Sequence, residues 1–337
     1  MSKHPSRPNG THQPPVATPG RQRTVRDLLA YSDEQLALID PLEMNLAAAR
    51  EIPSLSHLDI GAYKRTADTW ANDVKRGLRE AEQQFHDSPW SWKNDLHFFR
   101  LGYLCYYVDE VLGIRYREDQ KDLTKVFYTD PSDLFLNGVM DTRRGTCANM
   151  AALHVALGWR LRWPVSLACV SSHFICRYDD GKVTHNIEAT KTGGGGFHSH
   201  PDDYYLKEYR LPPKAVRCGS DLRGLTPREL LGVFVGLRGR HYEDTDRFEL
   251  AEPDFLLARY LFPRSRNLHF VQVMASVQNG MALFDPGEPG HPTDLAAWLA
   301  EVVRQAPWLR PEFVQKETND ASPQDTEYRY DWSGQEK

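Results

Sequence analysis

Cys147 stands in the run Asp141-Thr142-Arg143-Arg144-Gly145-Thr146-Cys147-Ala148-Asn149-Met150, where a loop ending in glycine meets the start of a helix. A helix N-terminus offers unpaired N–H groups and a partial positive charge, and both favour a thiolate, the nucleophilic form. Arg143 or Arg144 adds positive charge at the same spot. The N–H groups near Gly145 and Ala148 are placed to hold an oxyanion during acyl transfer. None of the other cysteines (Cys105, Cys169, Cys176, Cys218) is expected at a helix start. Without a Cys-x-x-Cys spacing they read as reduced, mostly packed thiols of a cytoplasmic protein.

A thiol nucleophile needs a base and a group to orient that base. His154 shares a helix face with Cys147, but seven residues separate them by about 10 Å along the axis, which is too far. The better base lies on a hairpin. His173–Tyr178 and Lys182–Ala189 read as strands around Asp179-Asp180-Gly181, a strong turn signal. With Asp180 and Gly181 as the two turn residues, His173 faces Glu188 directly, close enough for a carboxylate to hold an imidazole. Alternation puts Asn186 on the same face as a reserve orienter. The same register sets Cys176 opposite His185 as a competing pair, without a helix terminus or an orienting acid. A one-residue slip would carry Glu188 to the other face.

Helices must position these groups. Ser32 with Gln35 resembles a capping box, a short helix stops near Pro41, and another runs through about Ala49. Tyr63, Ala67, Trp70, Val74, Leu78, Ala81 and Phe85 form one apolar helical stripe. Residues 94–112 are apolar nearly all round, as in a helix buried inside a domain. Cys147 to about Arg160 is helical, and Val165–Val170 is a strand. Lys191–Asp203, with Gly193–Gly196 inside it, reads as a flexible lip beside the site. Thr226-Pro227-Arg228-Glu229 combines a cap, a first-position proline and a reciprocal glutamate. Further helices are expected at about 227–237, 252–262, 266–278 and 293–306. His198 and His200 with Cys176 or His185 have no matched metal-ligand spacing, so no metal and no organic cofactor is expected.

The 337 residues include 41 basic and 46 acidic ones, a net charge of −5 that gives no field for nucleic acid. No apolar run approaches the roughly 18 residues of a membrane helix, so no membrane association is expected. Residues 1–24 read as a disordered basic tail and 311–337 as a polar, acidic one. Between them lie 25–220, which carries the thiol, and 221–310, a helical region.

A cysteine opening a helix, a histidine on the next strand pair and an acid about fifteen residues later resemble the transglutaminase-like superfamily. Its last strand typically ends Asp-small-Thr, here Glu188-Ala189-Thr190. Arg143-Arg144-Gly145, Asp40-Pro41-Leu42, Asn45-Leu46 and Ile52-Pro53 are similar to the bacterial SirB-type branch, with its helical lead-in and tetratricopeptide-like helices. The resemblance implies an α+β fold: a helical lead-in, a papain-like core of helix on antiparallel sheet, and a helical C-terminal appendage. It implies Cys147 as nucleophile, His173 as acid/base and Glu188 as orienter, acting on a protein or peptide amide through a thioester. Many SirB-type relatives replace the cysteine, so a non-catalytic scaffold, with a protein partner on the C-terminal helices, is the alternative.

Overall fold

The computed structural model describes residues 22–282, apart from 118, 120–126 and 194–195. The expected helix at 293–306, the tail at 311–337 and nearly all of the basic head lie outside the described residues.

The lead-in is helical because its caps are in place. Helices α1 (Val25–Leu29) and α2 (Asp33–Leu36) open with capping boxes, Thr24 with Asp27 and Ser32 with Gln35. Helix α3 (Pro41–Arg50) has proline at its first position, behind Asp40, whose carboxylate accepts the Leu42 N–H. Helix α4 (Ile60–Asp87) buries Ala67, Trp70, Val74, Leu78 and Phe85, the stripe its spacing predicts. Helix α5 (Leu96–Tyr106) runs into a π-type turn at Tyr107–Val111 and hides Phe98, Phe99, Leu101 and Leu104.

The core that follows is a helix on a sheet. A two-residue strand β1 (Arg115–Tyr116) precedes helix α6 (Leu136–Thr142), strand β2 (Arg144–Gly145) and helix α7 (Cys147–Arg160). Strands β3 (Val165–Val170), β4 (His173–Asp179), β5 (Thr184–Ile187) and β6 (Ser199–His200) form an antiparallel sheet in that order. Helix α7 packs on β3 and β4.

The hairpin register differs from the expected one by two residues. Cys176 pairs with Ile187 and Tyr178 with His185, so neither His173–Glu188 nor Cys176–His185 is a directly opposed pair. The turn explains the shift. A two-residue turn of the expected type needs positive φ at both central positions. Of Asp180 and Gly181, only Gly181 has it, at 83°. The Asp180 carboxylate instead accepts the N–H groups of Lys182 and Val183, which widens the turn. A shift of two preserves alternation, so His173 and Glu188 keep a common face.

The expected flexible stretch Lys191–Asp203 contains β6 and the start of helix α8 (Asp202–Glu208), followed by helix α9 (Pro213–Arg217). Its order comes from a half-buried polar knot that sequence periodicity does not display. Arg177 reaches Asn186 and Asp202 at 2.7 Å each, and Asn186 donates to Asp202 and to the His200 carbonyl. Gly193 and Gly196, the described ends of the glycine run, lie against Asp109, whose carboxylate accepts the Gly193 N–H.

Helices α10 (Pro227–Asp244), α11 (Phe248–Leu261) and α12 (Arg266–Ala282) follow. Helix α10 is longer than expected because its glycines are packing residues. A Cβ at Gly236 would meet Leu268 at 2.8 Å, so the missing side chain admits the neighbouring helix. Helix α11 begins before Pro253, held by buried Ala251, Phe255 and Ala258 despite the proline. One apolar core runs from Val25 to Ala275, and α10 packs directly on α3.

Candidate active site

The N-terminus of α7 is built to be rigid. Thr146 is its N-cap, with a reciprocal box to Asn149. The Thr146 hydroxyl donates to the Asp133 carbonyl at 2.7 Å and accepts the Ala148 N–H at 3.2 Å. Asn149 donates to the carbonyls of Asp133 and Phe135. Gly145 has no room for a side chain, since a Cβ would stand 2.4 Å from Met150 Cγ. β1 straps this turn from outside, with the Arg117 N–H on the Gly145 carbonyl at 2.9 Å. Cys147 is therefore the first helical residue, and its own N–H has no intrahelical partner.

The arginines do not converge on the thiol. The Arg143 guanidinium lies over the Trp70 ring, 4.6 Å from its centre, and Arg144 is exposed. The Ala148 N–H is already taken by the cap. Of the expected supporting groups, Gly145 contributes shape, and the free donor belongs to Cys147 itself.

His173 and Glu188 meet although they are not directly paired. Glu188 sits just beyond the last paired residue of β5, where a long side chain can span a diagonal. Both its carboxylate oxygens lie 2.9 Å from His173 Nε2. Thr190 donates its hydroxyl to Glu188 Oε1 at 2.6 Å, which gives the Glu-Ala-Thr ending a physical purpose. With Nε2 committed to the carboxylate, Nδ1 is the ring nitrogen left for the thiol, and the His173 and Cys147 side chains are hydrogen-bonded. The structure thus brings Cys147, His173 and Glu188 together.

Burial disfavours the imidazolium, but hydrogen bonds to Cys147 and Glu188 and their charges outweigh it, and His173 is pushed up to about 10. Glu188 moves the other way: burial would raise it, while His173 and Thr190 hold it below the usual carboxylate value. The imidazolium's contribution to stability is full below its unfolded value of about 6.5 and is lost as pH climbs through about 10. The Glu188 contribution is present above 4.5 and is lost as pH falls through the lower folded value. An NMR titration should find the His173 ring still protonated at about pH 8, and Glu188→Gln should move its midpoint down. A midpoint near 6.5 in both proteins would remove the ion pair.

The other candidates are engaged elsewhere. Asn186 belongs to the Arg177–Asp202 knot, so it is not placed as an orienter. His185 Nε2 contacts Asp95 at 2.8 Å, while Cys176 is fully buried and pushed up to about 12 by desolvation, which dissolves the competing pair. His154 bonds the Met150 carbonyl through Nδ1 inside α7. His200 stacks on Tyr204, and among the described residues no group of three or more His, Cys, Asp or Glu could hold a metal ion.

A shell of tyrosines surrounds the site. Tyr209 stacks on the His173 ring at 5.5 Å with planes 8° apart, and the Tyr128 hydroxyl is 3.9 Å from Cys147 Sγ. Burial first, then the charges of Cys147 and Glu188, push Tyr116 up to about 12. These residues come from β1, a loop and the end of α8, and no local spacing marks them.

A helix carrying a thiol at its first residue, laid on an antiparallel sheet with histidine and acid beside it, is an α+β architecture consistent with a transglutaminase-like core with helical flanks. Residues 68–232 match the family model of the transglutaminase-like superfamily. No curated protein and no solved structure gives a significant match to the chain. Among the described residues, no helix is long and apolar enough to cross a membrane.

Proposed function

We propose that the chain performs cysteine-dependent acyl transfer on an amide, through a thioester at Cys147. The observation that carries this reading is the chain of contacts from Cys147 to His173 to Glu188 at the start of α7. In this reading His173 takes the proton of the Cys147 thiol. The thiolate attacks the amide carbonyl, the imidazolium protonates the departing amine, and water or a second amine resolves the thioester. Glu188 fixes the ring and stabilises its charge.

In this reading the substrate is a protein or peptide amide. Leu256 and Tyr260 on α11 and Met274 on α12 expose apolar surface, which supports these helices as the seat of a protein partner, in the manner of the tetratricopeptide-like helices of the SirB-type branch. Iodoacetamide alkylation, followed on the Cys147 peptide by mass spectrometry, tests the thiol. At neutral pH it should run about ten-fold faster than a free model thiol. A rate no higher than that of the model thiol would leave a non-catalytic scaffold as the better account.

A further inference from the structure

Helix α7 supplies one oxyanion donor, the Cys147 N–H, because the Thr146 hydroxyl occupies the N–H of Ala148. A second donor stands across the thiol. The Tyr128 hydroxyl is 3.9 Å from Sγ, long for a bond to sulfur. An oxyanion donor belongs about 2.7–3.1 Å from the oxygen that will carry the charge, not from the nucleophile. A hydroxyl set back from the sulfur leaves room for an oxygen borne on the carbon that the sulfur attacks.

Tyr128 is held at both ends of its backbone by the last turn of α10. Its N–H donates to Asp244 Oδ2 at 2.9 Å, and its carbonyl lies 3.0 Å from His241 Nδ1, which must donate because a carbonyl only accepts. Arg240 in turn pairs with Asp244 at 2.7 Å. Burial and then the neighbouring Cys147 charge hold the phenol well above its ordinary value, so it stays a donor.

We propose that the Tyr128 hydroxyl is the second oxyanion donor of this site, and that Asp244 and His241 of α10 are its positioning residues. This rests on the acyl-transfer reading. Sγ forms a bond to the carbonyl carbon, and the carbonyl π pair moves to oxygen, where the Tyr128 O–H and Cys147 N–H meet it. Collapse re-forms the carbonyl and breaks the bond to the leaving group; an amine leaves with the proton from His173.

Two reagents separate this role from mere packing. p-Nitrophenyl acetate acylates a thiolate through a tetrahedral oxyanion and releases p-nitrophenolate, whereas iodoacetamide alkylates it by displacement of iodide with no oxyanion. In the full chain, Tyr128→Phe is expected to slow acylation of Cys147 about 100-fold, and alkylation no more than about three-fold. Asp244→Ala should lower acylation about ten-fold with the same small effect on alkylation. Alkylation also reports whether each variant keeps a folded site. Equal slowing of both reactions would make Tyr128 a packing residue, and unchanged acylation would overturn the proposal alone. A wild-type protein that alkylates rapidly but is never acylated would overturn the acyl-transfer reading and this proposal with it.

Discussion

Replacement of His173 by alanine is expected to slow acyl transfer from an amide to Cys147 by about 1,000-fold. Two losses combine. Without the imidazolium, the thiolate is no longer paired, and reversion to a mostly protonated free thiol costs about ten-fold in rate. The amine leaving group also loses its proton donor. p-Nitrophenyl acetate, whose leaving group needs no proton, separates the two, because His173→Ala should slow its reaction by only about ten-fold. Comparable slowing with both reagents would leave no acid role for His173.

Glu188 sharpens the same experiment. Glu188→Gln keeps the length and removes the charge, while Glu188→Asp keeps the charge and shortens the reach across the diagonal. Gln should damage acylation more, because the raised His173 value depends on the carboxylate charge. Wild-type rates in both variants would take Glu188 out of the chemistry.

The largest expected effect on stability lies at the other end of α7. The Arg160 guanidinium grips Asp40 with bonds of 3.0 and 2.5 Å, and both side chains are buried. Removing the arginine strands a buried carboxylate that keeps the Leu42 N–H. Arg160→Ala should cost about 3–5 kcal/mol by urea unfolding. The second ion pair of Arg160, to the exposed Asp68, adds little. Pairing Arg160→Met with Asp40→Asn should recover much of the loss, since no uncompensated charge then remains. A cost below about 1 kcal/mol for Arg160→Ala would mean that water reaches Asp40.

The parts of the site legible in the sequence were those fixed by local chemistry. The loop ending in Gly145 places Cys147 at the start of α7, and the Thr146–Asn149 box that fixes it there is seen in the structure. The His173–Glu188 contact was legible for a subtler reason: the expected turn was too tight, but parity survives a two-residue shift. The directly opposed geometry did not survive, nor did the pairing of Cys176 with His185. Tyr128, Tyr209 and the Arg177 knot were hidden because they join segments far apart in the chain. Helix α8 was hidden in a stretch with no visible period, where ion pairing rather than an apolar stripe supplies the order.

The continuous core has a consequence for where this protein can be divided. The family match ends at residue 232, soon after α10 begins at Pro227. Yet α10 lies against α3, and its last turn grips the loop bearing Tyr128. The stretch that sequence comparison outlines is therefore smaller than the stretch that can fold. A fragment cut at that boundary would lose most of α10, bare the apolar face of α3 and free the tyrosine opposite the thiol. Sequence similarity and mechanics draw different borders on this chain.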